Sequence, residues 1–355
     1  MRGLHRAAAA LAAIAALTDA ARSEETIPGV QSHHHSVTTS DGALLRAIVT
    51  QPADAKDAHY PVIFTQWVSC GSIEYAQGSS SREILAAIAR ETGLALLRVE
   101  RSAESGGPPC EALDYDTEVA HYVDAYAELL KTSGIDSSKV FVYGSSLGAT
   151  TAPLVASALQ ERGYDIAGIV VQGGGAETYF ERMLTFERQN LERRPDAVAP
   201  TDIHEEMLDR ARFYFEYLVE SRHPDAVAMD SADMARVRRS ILGLADKDHY
   251  GRPFAWHQQA AQRNLLGAWA SLDAQALVIF NEYDQYEALY GANAIVETLN
   301  RARPGSATLR MQHGLDHSSY RFASVYDAYA DRGGEPAWRQ TADEIVSWLR
   351  RISAE

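Results

Sequence analysis

The chain has 355 residues, 46% of them hydrophobic, enough to bury one large core or two medium ones. Its 48 acidic residues against 33 basic ones leave a net charge of −15, and no basic stripe interleaves with aromatics, which excludes nucleic acid as a partner. The N-terminal apolar run is too short to span a bilayer, and no other long apolar segment occurs in the sequence.

At the N-terminus Arg2, His5 and Arg6 precede the apolar run Ala7 to Leu17, and small residues follow at Ala20 and Ala21. This is the anatomy of a secretory signal peptide, so residues 1–21 are expected to be removed on export to a periplasm or the cell exterior. Residues 22–36 are expected to be a flexible lead-in, and the run His33 to His35 within it implies no metal site. Val37 to Thr39, a turn at Ser40-Asp41-Gly42, and Ala43 to Thr50 predict a hairpin.

Pro61 to Gln66 and Leu94 to Val99 then read as buried strands, with a helix at Ser81 to Glu91 between them. The chain's two cysteines, Cys70 and Cys110, follow these two strands, and in an exported protein such a pair is most simply a disulfide. Glu100 and Arg101 are expected to form a structural ion pair. Tyr115 to Lys131 predicts a long amphipathic helix, and Asp114, Asp116 and Glu118 near its start favour the positive end of the helix dipole.

Lys139 to Tyr143 (KVFVY) reads as a strand and Ala149 to Leu159 as a helix, and Gly144-Ser145-Ser146-Leu147-Gly148 lies between them. Strand, G-x-S-x-G and helix together predict a nucleophile elbow, in which Ser146 sits on a strained turn and the two glycines leave it room. Ser145 is the competitor, with Tyr143 where its preceding glycine should stand. Ile166 to Val171 predicts another strand. Between Gly173-Gly174-Gly175 and the next strand lies a stretch of helical periodicity, with aromatics from Phe180 to Trp269.

A serine nucleophile needs a histidine base and a carboxylate to orient it. Ala276 to Phe280 is an apolar strand that ends on Asn281-Glu282-Tyr283-Asp284, and Thr308 to Gln312 is a strand followed by His313-Gly314-Leu315-Asp316-His317. Asp284 is the expected carboxylate, with Glu282 as alternative, and Glu282 would otherwise pair with an arginine. His317 is the expected base, with His313 as fallback, and Asp316 is expected to be a turn residue.

From about Val37 to the C-terminus the chain resembles the α/β-hydrolase family. The resemblance implies a mostly parallel central sheet with helices on both faces, in two core parts at 37–179 and 272–355, and a helical lid at 180–271. It implies an oxyanion hole built from the backbone N–H of Leu147 and a second donor after the Pro61 strand, where relatives often carry His-Gly. Here that place holds Gln66-Trp67-Val68, so Val68 is the expected second donor, Trp67 its alternative, and Trp67 also a candidate pocket wall. The implied chemistry is two-step hydrolysis of a small-molecule carboxylic ester, with no cofactor and no metal. A serine peptidase, a lactonase or thioesterase, and a non-catalytic binding protein on the same scaffold are the alternatives.

Overall fold

The apolar runs at Pro61, Leu94, Lys139, Ile166, Ala276 and Thr308 all enter one sheet in the computed structural model, which describes residues 26–53, 59–132, 134–193 and 199–355. The expected signal peptide lies outside the described residues. Across the sheet run β1 (Val30–Thr38), β2 (Leu44–Pro52), β4 (Ala95–Ser105), β3 (Pro61–Thr65), β5 (Val140–Ser145), β6 (Ile166–Gln172), β7 (Gln275–Tyr283) and β8 (Ala307–Asp316). Two short strands, β9 (Tyr320–Arg321) and β10 (Glu335–Pro336), extend it past β8. Strands β3 to β8 pair in parallel, whereas β1 with β2 and β2 with β4 are antiparallel.

The parallel strands are buried on both faces, which is why they read as continuous apolar runs rather than alternating ones. In β5, Val140 and Val142 enter the core beneath α2 (Tyr115–Leu129), α3 (Gly148–Glu161) and α10 (Leu289–Ala302). Phe141 and Tyr143 face the other way, toward α1 (Ser80–Glu91) and α12 (Trp338–Ala354). Helix α12, which no sequence feature above singled out, buries Ile345, Leu349 and Ile352 at helical spacing. Among the described residues, no helix is long and apolar enough to cross a membrane.

Two expectations are corrected here. The lead-in expected to be flexible is paired from Val30 onward, because β1 runs from Val30 to Thr38 and all nine of its residues lie opposite β2. Only Val37 in that strand is buried. An edge strand needs backbone pairing rather than burial, so its sequence carries no alternation to read. Nor do Glu100 and Arg101 pair with each other, because neighbours on a strand point to opposite faces. Glu100 Oε1 accepts from Arg46 at 3.2 Å and from the Ser72 hydroxyl at 2.8 Å, while Arg101 Nε meets Glu118 at 2.9 Å.

Cys70 and Cys110 are joined by a disulfide with their Cα atoms 5.6 Å apart. It spans a sequence separation of 40 residues, and closing such a loop stabilises the fold by about 4 kcal/mol in the chain-entropy account. Non-reducing peptide mapping is expected to recover the two cysteine fragments linked, and reduction to lower the melting temperature. Alkylation of both thiols without prior reduction would contradict the bridge.

Candidate active site

Ser146, Asp284 and His317 are each the first residue beyond a strand, following β5, β7 and β8 respectively. A parallel sheet collects such positions along one edge, where ligands of these folds bind. The elbow is built by close approach of backbone. Ser146 has φ 54°, in the left-handed region, and its N–H donates to the Gln172 carbonyl of β6 at 2.8 Å. A Cβ on Gly144 would lie 2.6 Å from the Gly148 carbonyl oxygen, and one on Gly148 would lie 2.0 Å from that of Thr65. Glycine is required at both.

His317 Nε2 lies 2.8 Å from Ser146 Oγ, and its Nδ1 lies 2.7 Å from Asp284 Oδ2. Asp284 is only 2% exposed, and its Oδ1 accepts the amides of Tyr286 at 2.8 Å and Glu287 at 3.1 Å. The carboxylate is therefore held from its own loop and presents one oxygen to the imidazole. Asp316 closes the turn that carries His317, accepting the amides of Ser318 at 3.0 Å and Tyr320 at 2.7 Å, and burial pushes its carboxyl up from the usual range. Glu282 stands outside this triad: its Oε2 accepts from the Gly314 amide at 2.8 Å and faces His313 at 3.3 Å, and among the described residues no arginine pairs with it. His313 itself is mostly exposed.

Two contacts to the imidazole were not foreseen. The Tyr286 ring packs edge-on against that of His317, with centroids 4.7 Å apart. Gly173 has φ 64°, and a Cβ there would lie 2.8 Å from His317 Cε1, so any side chain would displace the base. The run Gly173 to Gly175 at the end of β6 was the available signal for this seat.

The loop after β3 lies against the elbow: the Cβ position of Gly148 is also 2.8 Å from the Gln66 carbonyl oxygen. Val68 and Leu147 share one apolar cluster. Among the described residues, no hydrogen bond uses the backbone N–H of Trp67, Val68 or Leu147. Trp67 packs against Tyr75 with the rings tilted and their centroids 4.6 Å apart. Trp67, His317, Ser145, Ser80 and Leu85 line a small cleft of about 30 Å³ that opens to solvent. Ser145 thus faces this cleft, while Ser146 meets the histidine. Among the described residues, no group of three or more His, Cys, Asp or Glu side chains could hold a metal ion.

No family model and no curated protein matches the chain by sequence. Solved structures do match. An esterase of Pyrococcus furiosus superposes with a TM-score of 0.54 at 14% identity, over 91% of each chain. An esterase of Pyrobaculum calidifontis gives 0.54 at 16% identity over 99% of this chain and 91% of that one. A fungal esterase of Rhizomucor miehei gives 0.55 at 17% identity over 98% and 89%. The chain has the α/β-hydrolase fold.

In this hydrolase fold the chain between β6 and β7 leaves the sheet and forms α4 (Tyr179–Glu192), α5 (Pro200–Tyr214), α6 (Pro224–Ala228), α7 (Ala232–Ser240), α8 (Phe254–Ala261) and α9 (Leu265–Ser271). A π-helical turn, Phe215–Val219, directly continues α5. Phe186, Phe213, Tyr214, Tyr217, Phe254 and Trp256 pack in one apolar cluster with Leu147, so most of the aromatics consolidate these helices. Trp269 belongs instead to the main core beneath α3 and α10.

His249 and His257 are wholly buried in this segment, and His257 lies between the Tyr179 hydroxyl at 2.8 Å and the His249 carbonyl at 2.6 Å. Burial pushes His249 down to about 4 and His257 well below its usual value. The unfolded chain would protonate both near 6.5, so their neutral burial contributes stability above that pH which is lost as pH falls toward 4. Thermal melts are therefore expected to drop steeply between pH 6.5 and 4, and His249→Gln to flatten that slope. An unchanged slope in the variant would refute this source of acid sensitivity.

Proposed function

We propose that the protein is a serine hydrolase that cleaves small carboxylic esters through an acyl-enzyme. The observation that carries this reading is the unbroken hydrogen-bond chain from Ser146 Oγ through the His317 imidazole to Asp284. Asp284, as an acceptor, holds the His317 proton on Nδ1 and leaves the Nε2 lone pair toward Ser146. Ser146 Oγ attacks the ester carbonyl as Nε2 takes its proton. The backbone amides of Leu147 and Val68 receive the oxyanion, with Trp67 as the alternative second donor. Collapse of the tetrahedral intermediate breaks the bond to the alcohol, which leaves with the proton from Nε2. Water then attacks the acyl-enzyme by the same route in reverse.

The cleft beside His317 and Trp67, with Ile84 and Leu85 in its lining, is small enough that only a very short acyl or alcohol group would fit it. The helices between β6 and β7 serve as a lid over this site. The Cys70–Cys110 disulfide, together with the N-terminal sequence, supports export to a periplasm or the cell exterior. That the fold neighbours named above are esterases agrees with an ester substrate.

A panel of p-nitrophenyl esters beside aminoacyl p-nitroanilides tests this reading, together with a fluorophosphonate probe. Labelling at Ser146 with turnover of the esters, highest for the shortest acyl chains, is the expected result. Preferential turnover of the anilides would make the protein a peptidase. Absence of both labelling and turnover would leave a binding protein on a hydrolase scaffold.

A further inference from the structure

The loop that carries the second proposed oxyanion donor has no regular structure of its own: Gln66 to Cys70 lie between β3 and α1 outside any helix or strand. A single side chain gathers it. Arg101, 4% exposed on β4, donates from Nη1 to the Ser69 carbonyl at 2.6 Å and from Nη2 to those of Gln66, at 2.7 Å, and Trp67. Its Nε donates to the Tyr122 hydroxyl at 3.3 Å and pairs with Glu118 at 2.9 Å, both on α2. Glu118 is in turn held by Arg252 and by Trp256 Nε1, the latter at 2.8 Å.

A peptide unit is planar, so a carbonyl that is fixed fixes the direction of the N–H that follows it. The Gln66 carbonyl shares its plane with the Trp67 amide, and the Trp67 carbonyl shares its plane with that of Val68. These two amides are the candidate donors, and neither is spent on an acceptor among the described residues. We propose that Arg101 is a positioning residue: it touches no substrate, but by binding consecutive carbonyls it sets the orientation of the second oxyanion donor. The planar guanidinium suits this task because its fork reaches several acceptors at once, which an ammonium cannot do. The proposal rests on the serine-hydrolase reading above.

The test is Arg101→Lys, which keeps a cation opposite Glu118 but cannot span three carbonyls. Its kcat for the best p-nitrophenyl ester is expected to fall about 30- to 100-fold, somewhat less than deletion of an oxyanion donor, with KM within about threefold. An aryl trifluoromethyl ketone adds a second readout, because Ser146 Oγ bonds to its carbonyl carbon and leaves an oxyanion while His317 takes the proton. Its affinity is expected to fall by the same factor as kcat/KM, which a loss of stability alone would not produce. Leu349→Ala, in the core beneath α12, is the control that loses stability with kcat unchanged. Should Arg101→Lys not fold, Arg101→Gln serves, since Glu118 keeps Arg252 and Trp256 as donors. A folded variant with kcat and ketone affinity within threefold of the parent overturns the positioning role. A parent protein that neither reacts at Ser146 nor turns over esters overturns the hydrolase reading, and this proposal with it.

Discussion

Ser146→Ala is expected to lower kcat by at least about a thousandfold with the fold intact, in line with losses at other Ser-His-Asp sites. Alanine removes the Ser146 Oγ that lies 2.8 Å from His317 Nε2, and asks for no new backbone conformation. The glycines that make room for the turn at φ 54° remain in place, so the melting temperature should change little. Ser145→Ala is the comparison. Ser145 lines the cleft and, among the described residues, hydrogen-bonds to neither Asp284 nor His317, so this variant should keep most of the turnover. Steady-state assay of the two variants on one ester decides the matter: near-normal rates for Ser146→Ala, or equal damage from Ser145→Ala, would remove Ser146 as the nucleophile.

Asp284→Asn is expected to keep the fold and to cost about four orders of magnitude in kcat. An asparagine can still accept the amides of Tyr286 and Glu287 through its oxygen, which leaves its NH2 facing His317 Nδ1. The imidazole must then carry its proton on Nε2, where it can no longer accept that of Ser146. Glu282→Gln should cost less than about fivefold, since Glu282 faces Gly314 and His313 on the solvent side. His317→Ala should abolish turnover, while His313→Ala should leave most of it. Reversal of the two carboxylate results in a kcat assay would assign the orienting role to Glu282.

The same pair of carboxylates shows where sequence alone stops. Two residues apart at the end of one strand, they are equivalent in pattern. What separates them is the path of the backbone, which leaves Asp284 2% exposed under the imidazole and turns Glu282 toward the β8 turn. His317 over His313 follows similarly, because β8 continues to Asp316 and only the residue after it reaches across to the elbow.

The succession of parallel strands along the chain, the elbow with its two glycines, and the pairing of the two cysteines were legible because each depends on local rules. Apolar runs of strand length must be buried, a serine at a left-handed turn needs small neighbours, and two cysteines alone in a chain have only each other as partners. Three features were set by contacts between residues distant in sequence. Gly173 is required because a Cβ there would lie 2.8 Å from the ring of His317, a residue far along the chain. Arg101 turned from its neighbour Glu100 to Glu118 and the carbonyls of the β3 loop, because alternation along β4 sends adjacent side chains to opposite faces. And β1 extends seven residues before Val37, as far as Val30, because its hydrogen bonds come from β2 and not from any apolar pattern of its own. Sequence carries periodicity and local sterics; which distant groups share a buried charge, a ring face or a backbone pairing is decided only when the sheet brings them together.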